Sequence, residues 1–306
     1  MNKVGNKKIV VAIASSALFD LTESDKVYRE QGIEKYRDFQ EKNLKKKLEK
    51  GVAFPFIRRL LKLNEIFPKE KPVEVILLSK NSHESGLRVF NSIAKYKLDI
   101  SKAHFSSGEP PYKYIPSFGV SLFLSANAKD VKEAINAGYS AGMIINSKIK
   151  DDKKDQELRI AFDYDGVVAD DSAQQMYDKK GLKKWASSEK KNIKIPHGPG
   201  PLKNFIAQLS YIRKLELARQ KKDKKYKRVL KIAIITAREA PAHERMVNTL
   251  KKWGIPVDES FFLGGSSKKP IVEAMKPHMY FDDQISNFTD IYKIPLVHIP
   301  FGKLNK

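Results

Sequence analysis

Short apolar runs, each closed by a polar or glycine-bearing turn, recur along the chain and predict the strands of an α/β protein. They fall at residues 9–13, 73–78, 139–145, 159–162, 230–235, 279–281 and 294–297. Residues 64–72, with Pro68 and Pro72, read as a loop before the second run. Residues 125–138 read as a helix, with Asn136-Ala137-Gly138 as a plausible C-cap. The stretch 148–157, KIKDDKKDQE, is charged and has no apolar face, so it reads as a linker. The predicted boundary lies within it, giving domains 1–150 and 151–306.

The two sides of that linker look like copies. Tyr28 and Tyr177, Gly32 and Gly181, Gly51 and Gly200, Phe56 and Phe205, Ile57 and Ile206, and Leu60 and Leu209 all stand 149 residues apart. Beyond them the spacing is 157, pairing Arg88 with Arg245, Asn91 with Asn248, Phe105 with Phe262 and Gly108 with Gly265. An insertion of eight residues in the second copy would account for the change, and the basic stretch 221–228, KKDKKYKR, lies where one is needed.

The chemistry gathers in the second copy. In RIAFDYDGVVADD (159–171) an apolar strand runs straight into Asp163 and Asp165. Open α/β sheets place their chemistry at such strand ends. Two close carboxylates demand a shared proton or a cation, so the pair reads as a metal site with a spare oxygen nucleophile. Asp-Gly is also common turn punctuation, and taken alone the pair reads equally as an acidic turn. Three later features weigh in. The run 230–235 ends in Thr236-Ala237-Arg238, a glycine-serine loop carries Lys268 and Lys269, and the run 279–281 ends in Asp282-Asp283.

Asp-x-Asp, then Thr, then Lys, then Asp-Asp, each at or soon after a β-type run, resembles the haloacid dehalogenase-like phosphotransferases. That resemblance implies two Rossmann-like haloacid dehalogenase-type domains. Asp163 would be the nucleophile, forming an aspartyl-phosphate, and Asp165 the general acid and then base. Mg²⁺ would take the Asp163 carboxylate, the Asp165 backbone carbonyl and Asp283, with Asp282 as the alternative ligand. Thr236 and Lys268, or its neighbour Lys269, would hold the phosphoryl oxygens.

A closer resemblance spans nearly the whole chain. The segments SSALFD (15–20), LLSKNSHESGLRVFNSI (77–93), SGEPPYKY (107–114), LFLSANAKDVKEAINAG (122–138) and KPHMYFDDQ (276–284) look like the cytosolic 5′-nucleotidase I family. The family hydrolyses nucleoside 5′-monophosphates, AMP among them, with Mg²⁺. This chain has Asp-Tyr-Asp-Gly where the family has Asp-Gly-Asp-Ala. Both aspartates survive, so base or sugar preference is put in doubt more than the reaction. A phosphatase for another small phosphomonoester is the rival within enzymes.

Between the aspartates and Thr236, residues 167–229 are where such enzymes insert a small helical cap. Tyr177, Trp185 and the HGPGPL run at 197–202 are its candidate contacts, although an aromatic such as Trp185 is more often core and a lone histidine such as His197 is usually structural. Arg238, two residues after Thr236, should point toward the phosphate; its alternative is a surface ion pair with Glu239 or Glu244. In the first copy Ala14, Ser16, Ser125 and Ala126 stand where the four aspartates stand, Ser79 matches Thr236, and Pro111 takes the position of Lys268. That copy is predicted to be degenerate and non-catalytic. Ser79, Asn81, Arg88 and Tyr112 could still form a second, regulatory nucleotide site there, the alternative being a structural domain.

With 306 residues and 41% hydrophobic content, the chain has enough material for two cores. It has no apolar run of about 18 residues, so no membrane span is expected. The start, MNKVGNKKIVVAIASSALF, is shaped like a signal peptide, but its β-branched run and the acids that follow favour a first strand. The absence of cysteine excludes disulfides and thiolate metal sites and fits a cytoplasmic setting. A net charge of +22 suits anionic substrates and raises nucleic acid as a rival partner. Against that rival, the lysines are spread and no RNA-binding motif is present. Base preference and assembly into a homo-oligomer stay open.

Overall fold

Runs such as Val73–Ser79 and Leu230–Thr236 carry apolar residues on nearly every position, so only a sheet covered on both faces can bury them. The computed structural model describes residues 8–145, 149–291 and 293–305. The basic start at 1–7 and Lys148 of the charged stretch lie outside them. One ten-stranded sheet organises the chain. Its strands are β1 (Ile9–Ile13), β2 (Val73–Ser79), β3 (Lys102–Phe105), β4 (Leu122–Ser125) and β5 (Ala141–Ile145). Then come β6 (Leu158–Phe162), β7 (Leu230–Thr236), β8 (Glu259–Phe262), β9 (Met279–Asp282) and β10 (Leu296–His298).

The strand order is β8-β7-β6-β9-β10-β5-β4-β1-β2-β3. Within each half of this sheet every pairing is parallel. The halves meet where β10 runs antiparallel to β5, with Val297 opposite Ile144. A Cβ on Gly142 would sit 2.3 Å from Val297 Cγ1, so this junction closes only over glycine. From the junction outward each half therefore repeats one order: fifth strand, fourth, first, second, third. An α/β architecture with a large, mostly parallel sheet matches the sequence expectation.

The helices repeat as well. Those of the first half are α1 (Thr22–Lys42), α2 (Phe54–Ile66), α3 (His83–Lys95) and α4 (Ala128–Asn136). Those of the second are α5 (Ser172–Lys191), α6 (Lys203–Lys222), α7 (His243–Trp253) and α8 (Lys269–Met275). Both α1 and α5 kink at a left-handed glycine, Gly32 and Gly181. Side-chain latches recur at the same spacings. Arg88 Nε donates to Lys46 O (3.1 Å) and Arg245 Nε to Ile195 O (2.8 Å). Asn91 donates to Leu44 O and Asn248 to Ile193 O, both at 3.2 Å.

The stretch expected to form a cap divides in two. Helix α5 stands over the strand ends, but α6 lies in the main core, with Phe205, Ile206, Leu209 and Ile212 fully buried. Its apolar stripe matches that of α2, where Phe56, Ile57 and Leu60 are buried. The charged linker is docked rather than loose. The Asp151 carboxylate takes Arg59 at 2.9 Å, Arg58 at 3.0 Å and Lys50 at 3.4 Å. No helix among the described residues is long and apolar enough to cross a membrane.

Candidate active site

Strand β6 ends between β7 and β9, and the chain leaves it toward β7 on one side while β9 flanks the other. This is the switch point at which parallel sheets open a crevice. Asp163 follows β6 directly, and its backbone N–H donates to Phe281 O of β9 at 2.8 Å. Its Oδ1 accepts from the Tyr164 N–H (2.7 Å) and its Oδ2 faces Lys268 Nζ at 2.9 Å. Lys268 is buried and also meets Asp282 at 2.8 Å, whereas Lys269 is half-exposed.

The adjacent aspartates at the end of β9 have different surroundings. Asp282 is wholly buried and accepts from Lys268, Tyr280 Oη (2.5 Å), Asn287 Nδ2 (2.9 Å) and the Gln284 N–H (2.9 Å). Asp283 is bound through its carbonyl, by Asn305 Nδ2 at 3.0 Å with His298 Nε2 also at 3.0 Å. Its own buried Oδ1 has no hydrogen-bond partner among the described residues. Gly166, at φ 76°, makes room for it: a Cβ there would lie 2.4 Å from Asp283 Oδ2. Carboxylate oxygens of Asp163, Asp282 and Asp283 lie within 4.8 Å of one another.

Three buried carboxylates facing one ammonium leave an uncompensated negative charge. Burial pushes Asp163 above the usual carboxylate range, with Lys268 pulling the other way and Asp282 adding to the rise. Burial raises Asp283 too, and Asp163 and Asp282 push it further. Burial alone would lower Lys268, but Asp163 and Asp282 hold it above its ordinary value. A hard divalent cation would satisfy such a donor set, and the Asp283 oxygen without a partner among the described residues could serve as a ligand for it. Asp282, saturated by four donors, orients Lys268.

Asp165 lies beside this cluster with both carboxylate oxygens in the fork of Arg238, at 2.7 Å each. Thr236 ends β7, buried, and its Oγ1 accepts from the Arg238 N–H at 3.2 Å. Arg238, expected to point toward the phosphate, instead spends its buried guanidinium on two carboxylates, Asp165 and, at 2.5 Å, Glu189, and the alternative surface pair with Glu239 or Glu244 does not form among the described residues. His197, a candidate cap contact or structural residue in the sequence, sits 3.1 Å from both Arg238 Nη2 and Glu189 Oε2. Its Nδ1 lies 2.9 Å from Tyr164 Oη. Sequence reasoning missed Glu189 altogether. Asp165, Gln174, Tyr177, Leu182, Trp185 and Arg238 border a cavity of about 320 Å³. Trp185 is nearly buried, with Arg238 5.7 Å over its ring, while Tyr177 stays open to solvent.

The residues singled out in the first half do not converge in the same way. Ser79 ends β2 with its hydroxyl 2.7 Å from Ser15 Oγ, and Asn81 donates its N–H to Ser79 Oγ. Arg88, expected as a ligand contact, is buried and committed to Lys46 O and to Gln40 Oε1 (3.3 Å), because α3 packs against the end of α1. Tyr112 packs against the main core.

A family model described as 5′-nucleotidase matches residues 1–306. Cytosolic 5′-nucleotidase 1B of Homo sapiens is 30% identical over 283 residues, which cover 90% of this chain and 46% of that protein. The chain thus spans about half the length of this curated relative. No solved structure matches it.

Proposed function

The chain belongs to the 5′-nucleotidase family, and from that premise we propose that it hydrolyses nucleoside 5′-monophosphates to nucleoside and phosphate. The observation that carries this reading is the buried trio of Asp163, Asp282 and Asp283 around Lys268, at the switch point of the sheet. In the first step an Asp163 oxygen attacks phosphorus and the bond to the sugar oxygen breaks, while Asp165 gives that oxygen a proton. In the second, water attacks the aspartyl-phosphate, Asp165 takes the proton and Asp163 is released. Lys268 and Thr236 hold phosphoryl oxygens as charge redistributes among them. Asp163 and Asp283 would hold the cation, taken here as Mg²⁺, which when bound neutralises the carboxylates and the phosphoryl group. The cavity beneath α5 offers Tyr177 to the nucleoside.

We assign residues 151–306 as a catalytic haloacid dehalogenase-like domain and 1–150 as a degenerate relative. The repeated strand order and latches support this, as do Ala14, Ser16, Ser125 and Ala126 where the second half has acids. A regulatory nucleotide in the first half draws less support, since Arg88 and Ser79 are already engaged. A cytoplasmic setting follows from the relative's name and is proposed on that basis alone.

Phosphate release from a panel of nucleoside 5′-monophosphates and sugar phosphates, with and without Mg²⁺, tests the reading. The wild-type chain should turn over at least one nucleotide only with metal, and Asp163→Asn should lower the rate by about a thousandfold or more. No turnover of any nucleotide with metal present would overturn it.

A further inference from the structure

Glu189 lies in a stretch of α5 rich in lysine and serine, where a carboxylate would ordinarily be solvated, yet it is 2% exposed. Three cationic or polar groups converge on it: Arg238 Nη1 at 2.5 Å, Arg245 Nη1 at 2.7 Å and His197 Nε2 at 3.1 Å. Burial works against its ionisation, but His197 and Arg238 hold its pKa down to about 2. The Arg238 guanidinium is therefore fixed on both edges, by Glu189 on one and by the Asp165 fork on the other. Its faces lie 5.2 Å from the Tyr164 ring and 5.7 Å from the Trp185 ring. A guanidinium so held has one orientation, and it passes that orientation to Asp165.

The first half supplies an internal control. Gln40 stands 149 residues before Glu189 and accepts from Arg88 as Glu189 accepts from Arg245. An amide therefore suffices for latching the first helix of each half to the third. What the first half lacks is everything on the other side of Glu189: Asn81 stands for Arg238, Ser16 for Asp165 and Leu48 for His197. The carboxylate occurs where there is an Arg–Asp fork to hold.

We propose that Glu189 is a positioning residue for the hydrolytic reaction, acting through Arg238 to aim the Asp165 carboxyl at the leaving oxygen. This rests on the nucleotidase reading of the site. The fork takes one lone pair on each Asp165 oxygen and leaves the other directed away from Arg238. In that step the bond from Asp163 to phosphorus forms, the phosphorus–oxygen ester bond breaks, and the Asp165 proton goes to the departing alkoxide oxygen.

The test compares leaving groups, using kcat/KM because it reports the attack by Asp163. With Mg²⁺ present, Glu189→Gln should lower kcat/KM about tenfold to a hundredfold on a nucleoside 5′-monophosphate, whose alkoxide needs a proton. On p-nitrophenyl phosphate, whose phenolate leaves unaided, it should change by no more than about threefold. Glu189→Asp, which keeps the charge but shortens its reach to Arg238, should show the same split in weaker form, and it stands in if Glu189→Gln fails to fold. Equal losses on both substrates, or no loss on either, would overturn the positioning role and leave the hydrolase standing. No metal-dependent phosphate release by the wild-type chain from either substrate would overturn both.

Discussion

The two halves end their first strands in the same backbone geometry and in opposite chemistry. Ala14 N–H donates to Leu124 O at 2.8 Å, and Asp163 N–H donates to Phe281 O at 2.8 Å. Ser125 Oγ accepts from the Asn127 N–H at 3.1 Å, as Asp282 accepts from the Gln284 N–H at 2.9 Å. Ser79 Oγ accepts from the Asn81 N–H as Thr236 Oγ1 accepts from the Arg238 N–H. Hydroxyls and methyls serve the scaffold in one half, so the carboxylates of the other are not there to make turns. They are buried, mutually repelling and unfavourable for folding, which is what a scaffold tolerates at a working site.

If the two halves share one scaffold, equivalent core deletions should cost the same and unfold the same unit. Phe56 on α2 and Phe205 on α6 are both fully buried. Phe56→Ala and Phe205→Ala should each lower stability by about 4 kcal/mol. Because the sheet runs through the β10–β5 junction, each should shift a single thermal transition rather than one of two. Two transitions, each moved by only one variant, would show that the halves unfold separately and would break the comparison at its scaffold.

Much of this was legible because it depends on local order along the chain. The runs that became β6, β7 and β9 end at Asp163, Thr236 and Asp282, so strand ends together with the order of the four-part motif singled these residues out. The repeat spacings of 149 and 157 fall on the strand boundaries: Ile9–Ile13 against Leu158–Phe162, and Val73–Ser79 against Leu230–Thr236. Glu189 was not legible. Its partners Arg238, Arg245 and His197 stand 49, 56 and 8 residues away, and the lysines around it are those of a solvated face. Arg88 misled for the same reason, since nothing beside it in sequence reports that the end of α1 packs on α3. The cap is shorter than the span 167–229 because α6 repeats the buried stripe of α2, Phe205, Ile206 and Leu209 answering Phe56, Ile57 and Leu60.

The segment between the halves is anchored by one acid. Asp151 is buried among Arg58, Arg59 and Lys50. Burial opposes its charge, but hydrogen bonds from Arg58 and Arg59 bring its pKa down to about 2. A folded-state value below the ordinary 3.8 means the stabilisation is complete above that pH and is lost as pH falls through about 2. Asp151→Asn should therefore cost about 3 kcal/mol near neutral pH, measured by denaturant midpoint. The deficit should shrink as pH is taken below about 4. A deficit independent of pH would assign the loss to packing instead of to the ion cluster.

The smallest effect is the one that separates the halves most directly. Asp163 and Asp283 are raised above 3.8 by burial, and the first half has no counterpart to either. With the folded-state value above the unfolded one, the native state binds the extra protons. Metal-free stability should then fall as pH rises above the ordinary carboxylate value. Calorimetry in the presence of a chelator should give a lower Tm at about pH 8.5 than at about pH 5.5. Mg²⁺ at about a hundred times its Kd should return about 2–3 kcal/mol at the higher pH and less at the lower, because the cation takes the deprotonated carboxylates. Asp283→Ala, which gives the second half the residue found at position 126, should flatten both responses. A Tm indifferent to the metal at either pH would mean that Lys268 alone balances the trio, and the difference between the halves would then be one of charge without a cation.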